Sequence, residues 1–146
     1  MIKQTLTVNL GCNYNTGGET GRFTTWQAIN TFIHAMNDHG ISPELGGTTY
    51  EDYLSTWTND AGVEYVDHCV WLRIKLETIT TTATLREILG SVADTLKQDA
   101  IAASIEYRNG ESEPYRFNVL QWRDGVEEKY GFDEDEFQRS RPYTNN

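Results

Sequence analysis

The chain has 146 residues, 38% of them hydrophobic, with four Trp, eight Tyr and five Phe. That is enough to build one domain with a real core, and it argues against disorder. Twenty-two Asp and Glu against twelve Lys and Arg give a formal charge of −10, which disfavours direct contact with nucleic acid or anionic membranes and favours basic partners.

No apolar run approaches the ~20 residues that a membrane helix needs. The start, MIKQTLTVNL, lacks the apolar stretch of a signal peptide. With only Cys12 and Cys69, the expected setting is the cytoplasm with reduced thiols, and one disulfide between the two stays open.

Ile2 to Leu10 alternates, with Ile2, Leu6, Val8 and Leu10 on one face and Lys3, Thr5, Thr7 and Asn9 on the other. The pattern predicts a half-buried strand, with Gln4 as its one misfit. Gly11 to Arg22 is polar and glycine-rich and reads as a flexible loop. Thr24 and Gln27 have the spacing of a capping box. Trp26, Ile29, Phe32, Ile33 and Met36 then recur at helical spacing, so a helix is predicted from about Thr25 to His39, ended by Gly40.

Ser42 to Tyr53 is irregular, with one helical turn open at Tyr50 to Leu54. A hairpin is predicted next: a short strand from Leu54 to Asn59, a turn at Asp60-Ala61-Gly62, and a long strand from Val63 to Glu77. On the long strand Val66, His68, Val70, Leu72, Ile74 and Leu76 share one face. Tyr65, Asp67, Cys69, Trp71, Arg73, Lys75 and Glu77 share the other.

Leu85, Ile88, Leu89, Val92, Ala93 and Leu96 form the stripe of a second helix, with Thr84 and Glu87 as its capping box. Ala102 to Arg108 reads as a strand, Asn109-Gly110 as a hairpin turn, and about Tyr115 to Arg123 as the return strand. Past Asp124-Gly125 the chain turns polar, with one short helix expected from Val126 to Tyr130. In this reading 1–138 is a single α+β domain and 139–146 a C-terminal tail. The order is βαββαβ plus an extra C-terminal hairpin strand. That is the order of a ferredoxin-like sandwich, with both helices on one face of an antiparallel sheet.

No motif declares a chemistry. The loop before the first helix has neither the Gly-Lys-Ser/Thr of a P-loop nor the G-x-G-x-x-G of a dinucleotide loop. The cysteines and histidines lack metal-site spacing, so no metal, cofactor or catalytic residue is expected. His68 and Asp67 are neighbours on a strand and point to opposite faces, which makes them no dyad, and His68 reads as a core histidine.

Two surfaces remain as candidates. From Glu111 to Phe137 nine carboxylates stand against three basic residues. Glu127, Glu128, Asp133, Glu134, Asp135 and Glu136 are the expected partner-binding residues, for a protein with a basic surface. Tyr65, Asp67 and Trp71 mark a possible sheet-face interface, where a second copy or the last hairpin and tail would settle.

In size, charge and lack of a catalytic motif the chain is similar to phage and plasmid proteins that block host defence nucleases, including some anti-CRISPR proteins and DNA mimics. The likeness spans no aligned stretch. It implies a non-enzymatic inhibitor whose carboxylates stand in for phosphates on a partner. The alternative is a small-molecule-binding protein or enzyme on a dimeric ferredoxin-like fold, with His68, Tyr65, Asp67 and Trp71 lining the pocket.

Overall fold

The computed structural model describes residues 3–16, 18–43, 47–58, 60–107, 115–123 and 125. In chain order the described elements are β1 (Gln4–Gly11), β2 (Asn13–Thr16), β3 (Glu19–Arg22), α1 (Thr25–Asp38), β4 (Thr48–Thr58), β5 (Glu64–Leu76), α2 (Thr82–Thr95), β6 (Ala100–Tyr107) and β7 (Tyr115–Trp122). Five strands form one sheet in the order β4-β5-β1-β6-β7, every neighbouring pair antiparallel. This is the ferredoxin-like α+β arrangement, with β7 added at the edge beside β6.

Strand alternation sets the layers. Leu6, Val8 and Leu10 of β1, Val70 to Leu76 at even positions of β5, and Ile101, Ala103 and Ile105 of β6 point to one face and are buried. Phe32 and Met36 of α1 and Leu85, Ile88, Leu89 and Val92 of α2 close over them in one core. The misfit Gln4 is also buried on this face. Its amide takes the role of a backbone pair: Nε2 donates to the Thr80 carbonyl at 3.3 Å, and Oε1 accepts from the Thr80 N–H at 3.0 Å.

The first helix begins as its sequence predicts. The Thr24 hydroxyl accepts from the Gln27 N–H at 3.1 Å, and the Gln27 side chain accepts from the Thr24 N–H at 2.8 Å. Gly40, at φ 73°, ends it in a Schellman motif: the Ile41 and Gly40 N–H groups donate to the Met36 and Asn37 carbonyls.

Four predicted elements are corrected. The glycine-rich loop is a hairpin, β2 paired with β3. Tyr14 of β2 packs on Phe23, just past β3, at 5.1 Å between ring centres, an apolar contact that polar composition hides. The stretch read as irregular with a helical turn at Tyr50 to Leu54 is strand β4, which pairs along its length with β5 from Thr48. The second helix starts one turn earlier than Thr84: the cap is Thr81, whose hydroxyl accepts from the Thr84 N–H at 3.2 Å. Last, β6 begins two residues before Ala102, at Ala100. The expected short helix at Val126 to Tyr130 and the tail lie outside the described residues.

Candidate functional site

On β5 the helix-side face is aliphatic at Leu76, Ile74, Leu72 and Val70, and then becomes polar at His68. The change falls where α1 begins, so His68 sits beneath the helix N-terminus with only 9% of its surface exposed. Next to it runs the edge strand β4. Leu54 lies directly across from His68, and Asp52 across from Val70, so Asp52 is the diagonal neighbour of His68 on the same face.

These placements bring three side chains together. His68 Nε2 lies 2.7 Å from Asp52 Oδ1. The Thr25 hydroxyl donates to the same oxygen at 2.6 Å, and its Oγ1 is 3.4 Å from His68 Nε2. Asp52 is held below the usual aspartate range, first by the Thr25 hydrogen bond and then by the His68 one. It is therefore ionised near neutral pH and can only accept, so His68 Nε2 carries the proton. In the neutral ring Nδ1 is then an acceptor. It is buried and has no hydrogen-bond partner among the described residues.

The backbone of His68 is fixed on both sides. Its N–H donates to Asn13 Oδ1 at 2.7 Å, and its carbonyl accepts from the Cys12 N–H at 2.9 Å. The cluster is rimmed by exposed apolar side chains on the same face. Trp26 and Tyr50, 61% and 47% exposed, meet edge to face with ring centres 5.5 Å apart. Leu54 and Val66 are exposed beside them. A half-exposed carboxylate among aromatic rings is a receptor for positive charge.

The predicted site residues fall elsewhere. Tyr65, Asp67 and Trp71 lie on the opposite face of β5, with Trp71 half-buried and stacked on Tyr53 at 5.7 Å between ring centres. They do not line a pocket with His68, because adjacent strand residues point to opposite faces. Glu127, Glu128, Asp133, Glu134, Asp135 and Glu136 lie outside the described residues. His68 is buried as expected of a core histidine, yet its partner Asp52 is hidden from the sequence pattern, since it falls in a stretch that reads as irregular. The signal that finds it is weak alternation: as a strand, Thr48 to Leu54 places Tyr50, Asp52 and Leu54 on one face.

Cys12 and Cys69 are both buried free thiols. Burial, with Cys69 and Asp52 nearby, pushes the Cys12 thiol up to about 11; burial also raises that of Cys69. Neither is an activated nucleophile. No group of three or more His, Cys, Asp or Glu able to hold a metal occurs among the described residues. No helix among the described residues is long and apolar enough to cross a membrane.

No protein-family model matches the chain, and no curated protein matches it. Two solved structures are similar in fold. One is a phage SAM lyase in complex with S-methyl-5'-thioadenosine, at a TM-score of 0.58 and 16% identity over 80% of this chain and 90% of that one. The other is a phage SAM lyase in the apo state, at a TM-score of 0.57 and 16% identity over 81% of this chain and 90% of that one. This corrects the expectation of a non-enzymatic inhibitor of the anti-CRISPR or DNA-mimic kind. The solved structures that share the fold are of an enzyme.

Proposed function

We propose that the chain is an enzyme, or failing turnover a small-molecule-binding protein, whose ligand is a cationic small molecule of the S-adenosylmethionine type. The ligand sits where Thr25, Asp52 and His68 meet. The observation that carries this reading is the ionised Asp52 carboxylate, fixed by two hydrogen bonds beside the Trp26–Tyr50 pair. A sulfonium or ammonium centre gains from both the carboxylate and the ring faces. The charge of −10 also raises the local concentration of a cation.

The roles follow from where charge changes. Cleaving a sulfonium carbon–sulfur bond sends the electron pair to sulfur, which becomes a neutral thioether, while the carbon either takes a new bond from a nucleophile or loses a neighbouring proton to form an alkene. A carboxylate beside the sulfonium therefore favours the bound substrate over the transition state, so Asp52 serves binding rather than the chemical step. Thr25 and His68 hold Asp52 in place.

The test is calorimetric titration with S-adenosylmethionine and with neutral S-methyl-5'-thioadenosine, together with chromatography of the incubated substrate. Asp52→Asn is expected to weaken the cation about tenfold and the neutral compound far less. His68→Ala should abolish any turnover in a protein that still folds. If neither compound binds and no product forms, the reading is wrong.

A further inference from the structure

The open face of the sheet carries a groove of about 430 Å³ that the Asp52 cluster does not use. It falls within the roughly 300–1,000 Å³ usual for small-molecule pockets. Its floor is hydroxyl-rich: Thr5 and Thr7 of β1, and Ser104 of β6 directly across from Thr7. Arg73 of β5 lies across from Thr7 on the other side and is exposed. Trp71, stacked on Tyr53, forms an aromatic wall two residues along β5. At the far side Arg116 of β7 pairs through Nε with Glu106 at 2.8 Å. Among the described residues that line it, two guanidinium groups stand against one carboxylate, in a protein whose total charge is −10.

We propose that this groove is a second binding site, for a phosphomonoester that carries a planar ring and is the size of a nucleoside monophosphate. Arg73 and the Thr5, Thr7 and Ser104 hydroxyls meet the phosphate. Guanidinium forks and hydroxyl donors match tetrahedral oxygens in both geometry and charge. Trp71 meets the ring. Glu106 sets the affinity from the other direction, since it draws Arg116 toward itself and repels the phosphate. The groove lies on the opposite side of the sheet from Asp52, and the proposal does not depend on the reading of that cluster.

The experiment is calorimetric titration of the full chain with AMP, adenosine and inorganic phosphate at low ionic strength. AMP is expected to bind at least about tenfold more tightly than either fragment. Arg73→Gln, at an exposed position that leaves folding intact, should weaken AMP about tenfold. Glu106→Gln should tighten it several-fold, a gain that loss of a merely structural ion pair would not produce. Asp52→Asn should leave AMP affinity unchanged. Absence of AMP binding, equal binding by wild type and Arg73→Gln, or a fall with Asp52→Asn would each overturn the proposal.

Discussion

Along β5, neighbouring residues belong to two different proteins in chemical terms. Leu72 is fully buried beneath the helices, while Arg73 stands exposed on the open face. The helix side is apolar only as far as α1 reaches. One position past Val70 the same face turns polar and holds His68, Asp52 and Thr25 with a negative charge at its centre. The open side carries Arg73, Lys75 and Arg116 beside the stacked Trp71 and Tyr53. What distinguishes the two faces is cover, not strand sequence: both alternate regularly, and the helices decide which residues must be apolar. The polar cluster of Thr25, Asp52 and His68 forms on the helix side where the cover stops.

The sharpest way to break that comparison is to truncate adjacent residues. Leu72→Ala is expected to destabilise the fold by about 2–5 kcal/mol, since it opens a cavity under the helices. Arg73→Ala should change stability by less than about 0.5 kcal/mol. Denaturant unfolding of both variants measures the difference. Similar values would mean that the open face is covered after all.

The next largest effect lies at the boundary. His68→Ala leaves the Asp52 carboxylate without one of its two donors and empties a buried position, and should cost about 1–3 kcal/mol. The pH dependence of the cluster has a defined sign. Asp52 is depressed relative to its ordinary value of 3.8, so its contribution is fully present above that pH and is lost as the pH falls through the lowered value. The thermal midpoints of wild type and Asp52→Asn should therefore differ near neutrality and converge in acid. The difference will be modest, because the carboxylate is 45% exposed. Midpoints that stay equally far apart in acid would sever the link to this carboxylate.

Much of this layout is legible in the sequence, for a physical reason. Burial forces periodicity, so the alternating β1 and β5 and the stripe of Leu85 to Leu96 announce themselves. The Thr24–Gln27 capping box does so too, because its chemistry is local. The site is hidden by the same logic. On β4 the helix-side positions are Tyr50, Asp52 and Leu54, where a covered strand would be uniformly aliphatic, and the mixture disguises the strand. A contact between Asp52 and His68, sixteen residues apart, exists only once the register is set. The β2–β3 hairpin escapes the pattern because its residues pack on Phe23 and Lys97 rather than on the main core.

The thiols test whether the core beside the cluster is closed. With its thiol pushed up to about 11, Cys12 is almost wholly protonated at pH 8 and has no exposed surface. Iodoacetamide should modify it slowly in the folded protein and readily after denaturation, read by mass spectrometry. Fast modification in the folded state would mean that the segment between β1 and β2 opens, and with it the hydrogen bond that holds the His68 carbonyl.

The smallest expected effect concerns the helix ends. Gly40 and Lys97 occupy the same place in two Schellman motifs, at φ 73° and 54°, but only glycine adopts that conformation without strain. Lys97 is kept there by other contacts. Its ammonium is 2.8 Å from Glu19 and lies over the Tyr14 ring at 4.6 Å, which ties the β2–β3 hairpin to the end of α2. Those contacts are exposed and screened by salt. Lys97→Gly relieves the backbone and gives up the tether, and the backbone term should win, raising the thermal midpoint by roughly 2–5 °C. The gain should grow in high salt, where the lost ion pair counts for less. A lower midpoint at every salt concentration would show that the hairpin depends on Lys97, and that the local rule which favours glycine at α1 is overridden at α2 by a contact made across the fold.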